Sequence, residues 1–145
     1  MKVVLQRVTA ANVAVDGEVI GQIEQGLLVL LGVSQTDTKA QVEKLIDKIT
    51  KLRIFSDEAG KTNLSITDVK GALLVVSQFT LYADTKKGNR PSFVEAAEAT
   101  LAQELYDYCV TYAQDKFTKV QTGQFGANMQ VSLINDGPFT VIIEL

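Results

Sequence analysis

Hydroxyl and amide side chains gather at Ser77-Gln78-Phe79-Thr80, directly after the apolar run Ala72 to Val76. Such a run is short, β-branched and free of charge, which predicts a strand buried on both faces with a rigidly held polar end. Ser77 and Thr80 are the hydroxyls best placed to act as nucleophiles, but a hydroxyl near its free pKa needs an activating base. The chain has no histidine, which excludes Ser-His-Asp and Cys-His catalysis and the common His-containing zinc sites. A base would have to be a carboxylate, a lysine, a terminal amine or a group that the substrate brings. Lys86 and Lys87 are close in sequence, yet flexible loop lysines normally keep their protons. The favoured role for this strand end is electrostatic. Backbone N–H groups of Phe79 and Thr80, with the Ser77 and Gln78 side chains, can hold a carbonyl oxygen or sugar hydroxyls as charge develops.

A second stretch, Asn135-Asp136-Gly137-Pro138-Phe139-Thr140, reads as a turn between the strand-like segments Asn128 to Ile134 and Phe139 to Leu145. Proline at 138 removes one backbone donor and fixes one φ, leaving carbonyl oxygens on a stiff turn that can accept from an ammonium group. A plain hairpin turn is the equally open alternative, and the sequence alone does not license a cis bond there. Lys86, Lys87 and Arg90 lie within five residues and could meet a few phosphates, although Lys-Lys-Gly-Asn is also ordinary solvated-turn composition. Asp57 and Glu58 would be the acid and base pair if one exists, but adjacent carboxylates in a Gly-containing turn are usually surface.

The elements that must position these groups fit a single domain spanning residues 1–145, since 46% hydrophobic content at this length supports a core without disulfides or metals. The lone cysteine, Cys109, falls among Leu101, Leu105, Tyr108 and Tyr112 at helical spacing, the pattern of a buried structural thiol. No cofactor or metal is expected. A net charge of −3 and a pI near 4.9 speak against broad binding of duplex nucleic acid. The run Leu27 to Leu31 is far too short to span a bilayer, and the N-terminus lacks a signal-peptide block, so a cytoplasmic protein is expected.

Lys2 to Thr9 predicts a first strand, and Asn12 to Val15 and Glu18 to Ile23 flank the hairpin signal Asp16-Gly17. Gly26 opens a buried strand through Val33. From Thr38 the period changes: Val42, Leu45, Ile46, Ile49 and Leu52 mark the apolar face of a helix, with Asp47 and Lys51 a favourable pair on the other side. A second helix is expected from Val94 to Ala113. Two helices among roughly eight strands, not strictly alternating, predict an α+β fold: packed β-sheets with helices covering one side.

Taken together, six segments resemble the D-aminoacyl-tRNA deacylases, formerly described as D-tyrosyl-tRNA deacylases: Val4 to Val8, Gly26 to Val33, Arg53 to Asp57, Ser77 to Leu81, Arg90 to Phe93 and Asn135 to Thr140. The resemblance covers essentially the whole length. It implies a three-layer α/β/β domain and a cytoplasmic homodimer that hydrolyses the ester of D-aminoacyl-tRNA and of mischarged glycyl-tRNA. It further implies a cis Gly137-Pro138 bond whose turn enters the partner subunit's site, presents carbonyls to the substrate α-ammonium and rejects L-amino acids. Ser77, Gln78, Phe79 and Thr80 would lie by the scissile ester, with Phe125, Met129 and Ala102 near the aminoacyl group or terminal nucleotide. In the family Thr80 is one proposed nucleophile, while the better-supported route is water assisted by the RNA's own ribose hydroxyl. A sister group with a trans Gly-Pro acts on L-alanyl mischarged tRNA, and a non-catalytic module binding the acceptor end is the remaining alternative.

Overall fold

The structure is a computed structural model describing residues 1–145. In chain order its elements are β1 (Lys2–Val15), β2 (Glu18–Ile23), β3 (Gly26–Gly32), α1 (Lys39–Lys51), β4 (Arg53–Ser56), β5 (Thr62–Ser65), β6 (Ala72–Ser77), a 3-10 turn (Phe79–Tyr82), α2 (Ala99–Gln114), β7 (Val120–Thr122) and β8 (Gln130–Glu144). No helix is long and apolar enough to cross a membrane.

The long strand β1 explains the layering. Along one edge its first half pairs with β3 (Lys2↔Gly32 to Val8↔Gly26) and its second half with β2 (Ala11↔Ile23 to Val15↔Glu18), while β8 follows its other edge from Lys2↔Glu144 to Ala14↔Gln130. β3, β6 and β7 continue the first half as parallel neighbours. Because β1 belongs to both halves, the sheet doubles over itself. Val8, Ala11, Val13 and Ile23 meet Leu28, Leu74 and Val76 in a core between the two β layers. The layers approach so closely at Gly21 that a Cβ there would lie 2.5 Å from the Thr122 carbonyl oxygen.

Alternation along β3 and β6 sends the other side chains, Leu27, Val29, Leu31, Leu73 and Val75, into a larger core with Leu45, Ile46 and Ile49 of α1 and Leu105 and Cys109 of α2. The expected order of helices, sheet and second β layer is therefore found. Both faces of β6 are covered, as its unbroken apolar run required. Cutting Leu74 back to alanine would cost about 2–5 kcal/mol at such a site.

Asp16 (φ 51°) and Gly17 (φ 83°) make the tight turn expected of them. Several expectations need correction. Lys2–Val15 is one strand, because β8 supplies a continuous partner across the break at Ala10. α2 starts at Ala99, five residues later than expected, since Ala96 and Ala97 are held extended against Ser34 and Val33, with Ala97 N–H donating to Val33 O at 2.9 Å. Its buried stripe is Ala102, Leu105, Tyr106, Cys109 and Ala113, so Leu101, Tyr108 and Tyr112 sit at the flank. There Tyr108 donates to Glu43 at 2.6 Å and Tyr112 to Asp47 at 3.3 Å, tying α2 to α1. Asp47 takes Lys116 at 3.5 Å, instead of Lys51, as its ion-pair partner.

Candidate active site

β6 runs parallel to β3 until Leu31 and Ser77 stand opposite each other, and the next residue still donates, Gln78 N–H to Leu31 O at 2.7 Å. The chain then coils into the 3-10 turn, whose first hydrogen bond runs from Leu81 N–H to Gln78 O at 3.2 Å. The N–H groups of Phe79 and Thr80 precede that bond and are not consumed by the turn's ladder. Thr80 is thus exposed on a turn, past the end of the strand.

Beside this strand end lies a cavity of about 530 Å³ between the sheet, the start of α2 and the segment before β8. Ser77, Gln78, Phe79, Ala102, Phe125 and Met129 all line it, bringing together six side chains named from sequence. None of its 16 lining residues carries a charge. Tyr106 lines it too and was missed, because sequence periodicity put Tyr108 on the buried stripe. Its hydroxyl donates to Val75 O at 2.8 Å, and its ring packs 5.9 Å from that of Phe125. Burial pushes the phenol pKa well up, so Tyr106 stays a neutral donor that fixes the cavity wall.

Thr80 does not line the cavity, and its hydroxyl oxygen accepts from the Gln78 side-chain amide. An amide N–H cannot take a proton from that hydroxyl, so this contact positions Thr80 without activating it. Cys109 is buried and its thiol is pushed up to about 12, a structural residue outside the cavity lining. Asp57 accepts from the N–H groups of Lys61 (2.9 Å) and Ala59 (3.0 Å) and from the Asn63 amide (3.1 Å), the bonds that hold its carboxyl below the usual range. It clamps the β4–β5 turn.

Gly137 and Pro138 are placed differently from expectation. β8 does not stop and restart around a hairpin; both of its halves pair with β1, and residues 136–139 bulge out between the pairs Gln6↔Thr140 and Val8↔Asn135. The Gly137-Pro138 bond is cis, and Gly137 has φ 137°, a region that favours glycine. Arg7 stands opposite the bulge. Its Nε donates to Asp136 O at 2.9 Å and its Nη1 to Ile54 O at 2.7 Å, Asp136 Oδ2 is 3.2 Å away, and the guanidinium lies 4.9 Å from the Phe139 ring centroid. Arginine within a valine-rich strand was the available signal for Arg7. Asn135 braces the bulge from within, accepting from Phe139 N–H at 2.6 Å and donating to Thr140 Oγ1 at 3.1 Å.

Neither Gly137 nor Pro138 lines the cavity, so within one chain this segment does not join the Ser77 to Phe79 strand end in lining it. Both are exposed on β8, which also exposes Ile134 (63%) and Ile142 (66%).

Against this geometry stand the likenesses to known proteins. The sequence profile of D-Tyr-tRNA(Tyr) deacylase matches residues 4–144. A D-aminoacyl-tRNA deacylase of Lactobacillus gasseri is 54% identical over 145 residues, 100% of both chains, and that of Thermosipho africanus is 53% identical over 144 residues, 99% of this chain and 97% of the relative. Among solved structures, the c-Myc DNA unwinding element binding protein superposes with a TM-score of 0.95 at 42% identity, covering 100% of this chain and 99% of that one.

Proposed function

The chain belongs to the D-Tyr-tRNA(Tyr) deacylase family, and on that premise we propose that it hydrolyses the ester joining a D-amino acid to the terminal adenosine of tRNA. Mischarged glycyl-tRNA is a further substrate, and L-aminoacyl-tRNA is rejected. The observation that carries this reading is an uncharged cavity at the Ser77 to Phe79 strand end, beside a Thr80 hydroxyl tied to an amide instead of a base. Such a site suits positioning and electrostatic stabilisation better than covalent catalysis.

A water oxygen adds to the ester carbonyl, the bond from that carbon to the ribose oxygen breaks, and the ribose oxygen takes a proton. The neighbouring ribose hydroxyl of the RNA assists the proton transfer. N–H groups of Phe79 and Thr80 face the carbonyl oxygen as it becomes negative, and Phe125, Met129 and Ala102 give the aminoacyl end an apolar surround.

Handedness falls to Gly137 and Pro138, supplied by the second copy of a homodimer. Their absence from the cavity lining of their own chain supports this, as do the exposed Ile134 and Ile142 on the same strand. The turn's carbonyl oxygens accept from the α-ammonium, and an L side chain would be driven into the turn backbone. Glycine, having no side chain, passes. The reaction belongs in the cytoplasm, where aminoacylated tRNA is used.

The deciding experiment follows release of tyrosine from D-tyrosyl-tRNA and L-tyrosyl-tRNA by the purified protein. The D-form is released and the L-form spared; equal rates overturn the account of chiral rejection. Binding of charged tRNA with no release of amino acid would instead mark a non-catalytic module.

A further inference from the structure

We propose that the loop Asp84–Ser92 is a phosphate-binding arm, in which Lys86, Lys87 and Arg90 meet backbone phosphates of the RNA leading to the terminal nucleoside; this rests on the aminoacyl-tRNA reading above. The cavity lining has no charge, so a polyanion must be met at the rim. The loop is built onto that rim from both ends. It leaves directly from the 3-10 turn that begins at Phe79, and on its return Phe93 packs edge-on against Phe79 with ring centroids 5.0 Å apart. Asp84 N–H to Ser92 O (2.7 Å) and Ser92 N–H to Asp84 O (2.9 Å) pinch its base.

Within those nine residues three cations face one carboxylate, the reverse of the chain's net −3. That carboxylate is engaged internally, Asp84 Oδ1 accepting from Lys86 N–H at 2.9 Å. Lys86, Lys87 and Arg90 are exposed, and none joins any of the ion pairs in the chain. Other cations close to the lining in sequence are paired or placed away from it. Lys39 pairs with Glu104 at 3.0 Å and sits over the Tyr108 ring. Lys119 lies at the far end of β6 from Ser77, its carbonyl accepting from Leu73 N–H at 3.0 Å. Glu95 and Glu98 lie beyond Phe93, on the approach to α2.

Three phosphate contacts on a single strand steepen the log–log salt dependence of binding by about 2. Between 50 and 200 mM salt that is a differential of about 16-fold. The test compares K86A/K87A/R90A and the charge-keeping K86R/K87R/R90K with the unsubstituted protein on three probes. These are an uncharged acceptor-stem RNA hairpin followed by fluorescence anisotropy, D-tyrosyl-tRNA, and the D-tyrosyl ester of adenosine, which has no phosphate. The unsubstituted protein should lose about 16-fold more hairpin affinity and kcat/KM on tRNA across that salt range than the alanine variant. The charge-keeping variant should follow the unsubstituted protein, and all three should hydrolyse the adenosine ester alike. An unchanged salt dependence in the alanine variant overturns the arm. So does an equal loss on the adenosine ester, which would mean that the loop only shapes the rim through Phe93. If the unsubstituted protein is inert on both esters, the deacylase reading falls, and the hairpin titration still decides the arm.

Discussion

Replacing Arg7 with alanine should loosen the Gly137-Pro138 bulge without unfolding the chain. The guanidinium is largely buried, while the Asp136 carboxylate that it approaches is 46% exposed, so the ion-pair part is worth less than about 1 kcal/mol. The larger loss is at the Ile54 and Asp136 carbonyls, which each give up a charged donor at 2.7 and 2.9 Å. Hydrogen bonds to charged groups contribute about 1.5–3 kcal/mol each, and water can replace part of the bond on the open Asp136 side. A net cost of about 3–4 kcal/mol follows. With a slope of roughly 2 kcal/mol per molar urea, the unfolding midpoint should fall by about 1.5–2 M. The same variant should lose discrimination between D- and L-tyrosyl-tRNA, because carbonyls that wander cannot exclude a side chain. Release from glycyl-tRNA should suffer less. Arg7→Lys keeps the charge but cannot serve two carbonyls in a fixed fork, so it should fall between. A midpoint within about 0.3 M of the unsubstituted protein, with unchanged D/L ratio, would refute the reasoning and leave the bulge to the Asn135 bonds alone.

Thr80→Ala should turn over D-tyrosyl-tRNA at close to the normal rate, since its hydroxyl contacts only an amide; a fall of several orders would restore an acyl-enzyme on Thr80. A substrate whose terminal ribose keeps the 3′ ester but lacks the 2′-hydroxyl should be hydrolysed far more slowly, and an unchanged rate would remove the RNA's assistance. Gly137→Ala should cost about 1–3 kcal/mol in urea unfolding and lower selectivity, because at φ 137° a Cβ would sit 3.0 Å from Phe139 N and 3.3 Å from Arg7 Nη2. Burial raises the Cys109 thiol from 9.0 to about 12. The unfolded chain therefore ionises first, and the stability tied to the neutral thiol is intact below about pH 9 and drains as pH rises towards 12. Urea midpoints at pH 8 and 10.5 should differ more in the unsubstituted protein than in Cys109→Ala, and a thiol reagent at pH 8 should leave the native protein unlabelled.

Much of the fold was legible where one local period dominates. The face of α1, the buried β6 and the Asp16-Gly17 turn follow from spacing alone, and each is found. Longer-range order departs from the local pattern for identifiable reasons. α2 starts five residues after the expected Val94 because Ala96 and Ala97, though good helix formers, lie in a bridge to Ser34, with the Ala97 N–H given to Val33 O and the Ala96 N–H to Phe93 O. Tyr108 has the spacing of a core residue, but a carboxylate on α1 draws its hydroxyl to the flank. The cavity residues Ser77 to Phe79 are visible as a polar end on a greasy strand, whereas Tyr106, four residues after Ala102 and three before Cys109, has the spacing of the buried face but nothing that marks it as lining a cavity.

By itself the sequence limited what chemistry is open: in a chain without histidine any base is a carboxylate, a lysine, a terminal amine or a group of the substrate, whatever its shape. Periodicity also set most element types, since these depend on residues a few positions apart. Only the tertiary structure decided that the Gly137-Pro138 segment is a bulge in a continuous β8, braced by Arg7. That contact joins residues 129 positions apart, and its partners are set by the register of β1 against β8. Register is a collective outcome of many cross-strand contacts and of the doubling of the sheet, so no local pattern in either segment encodes it.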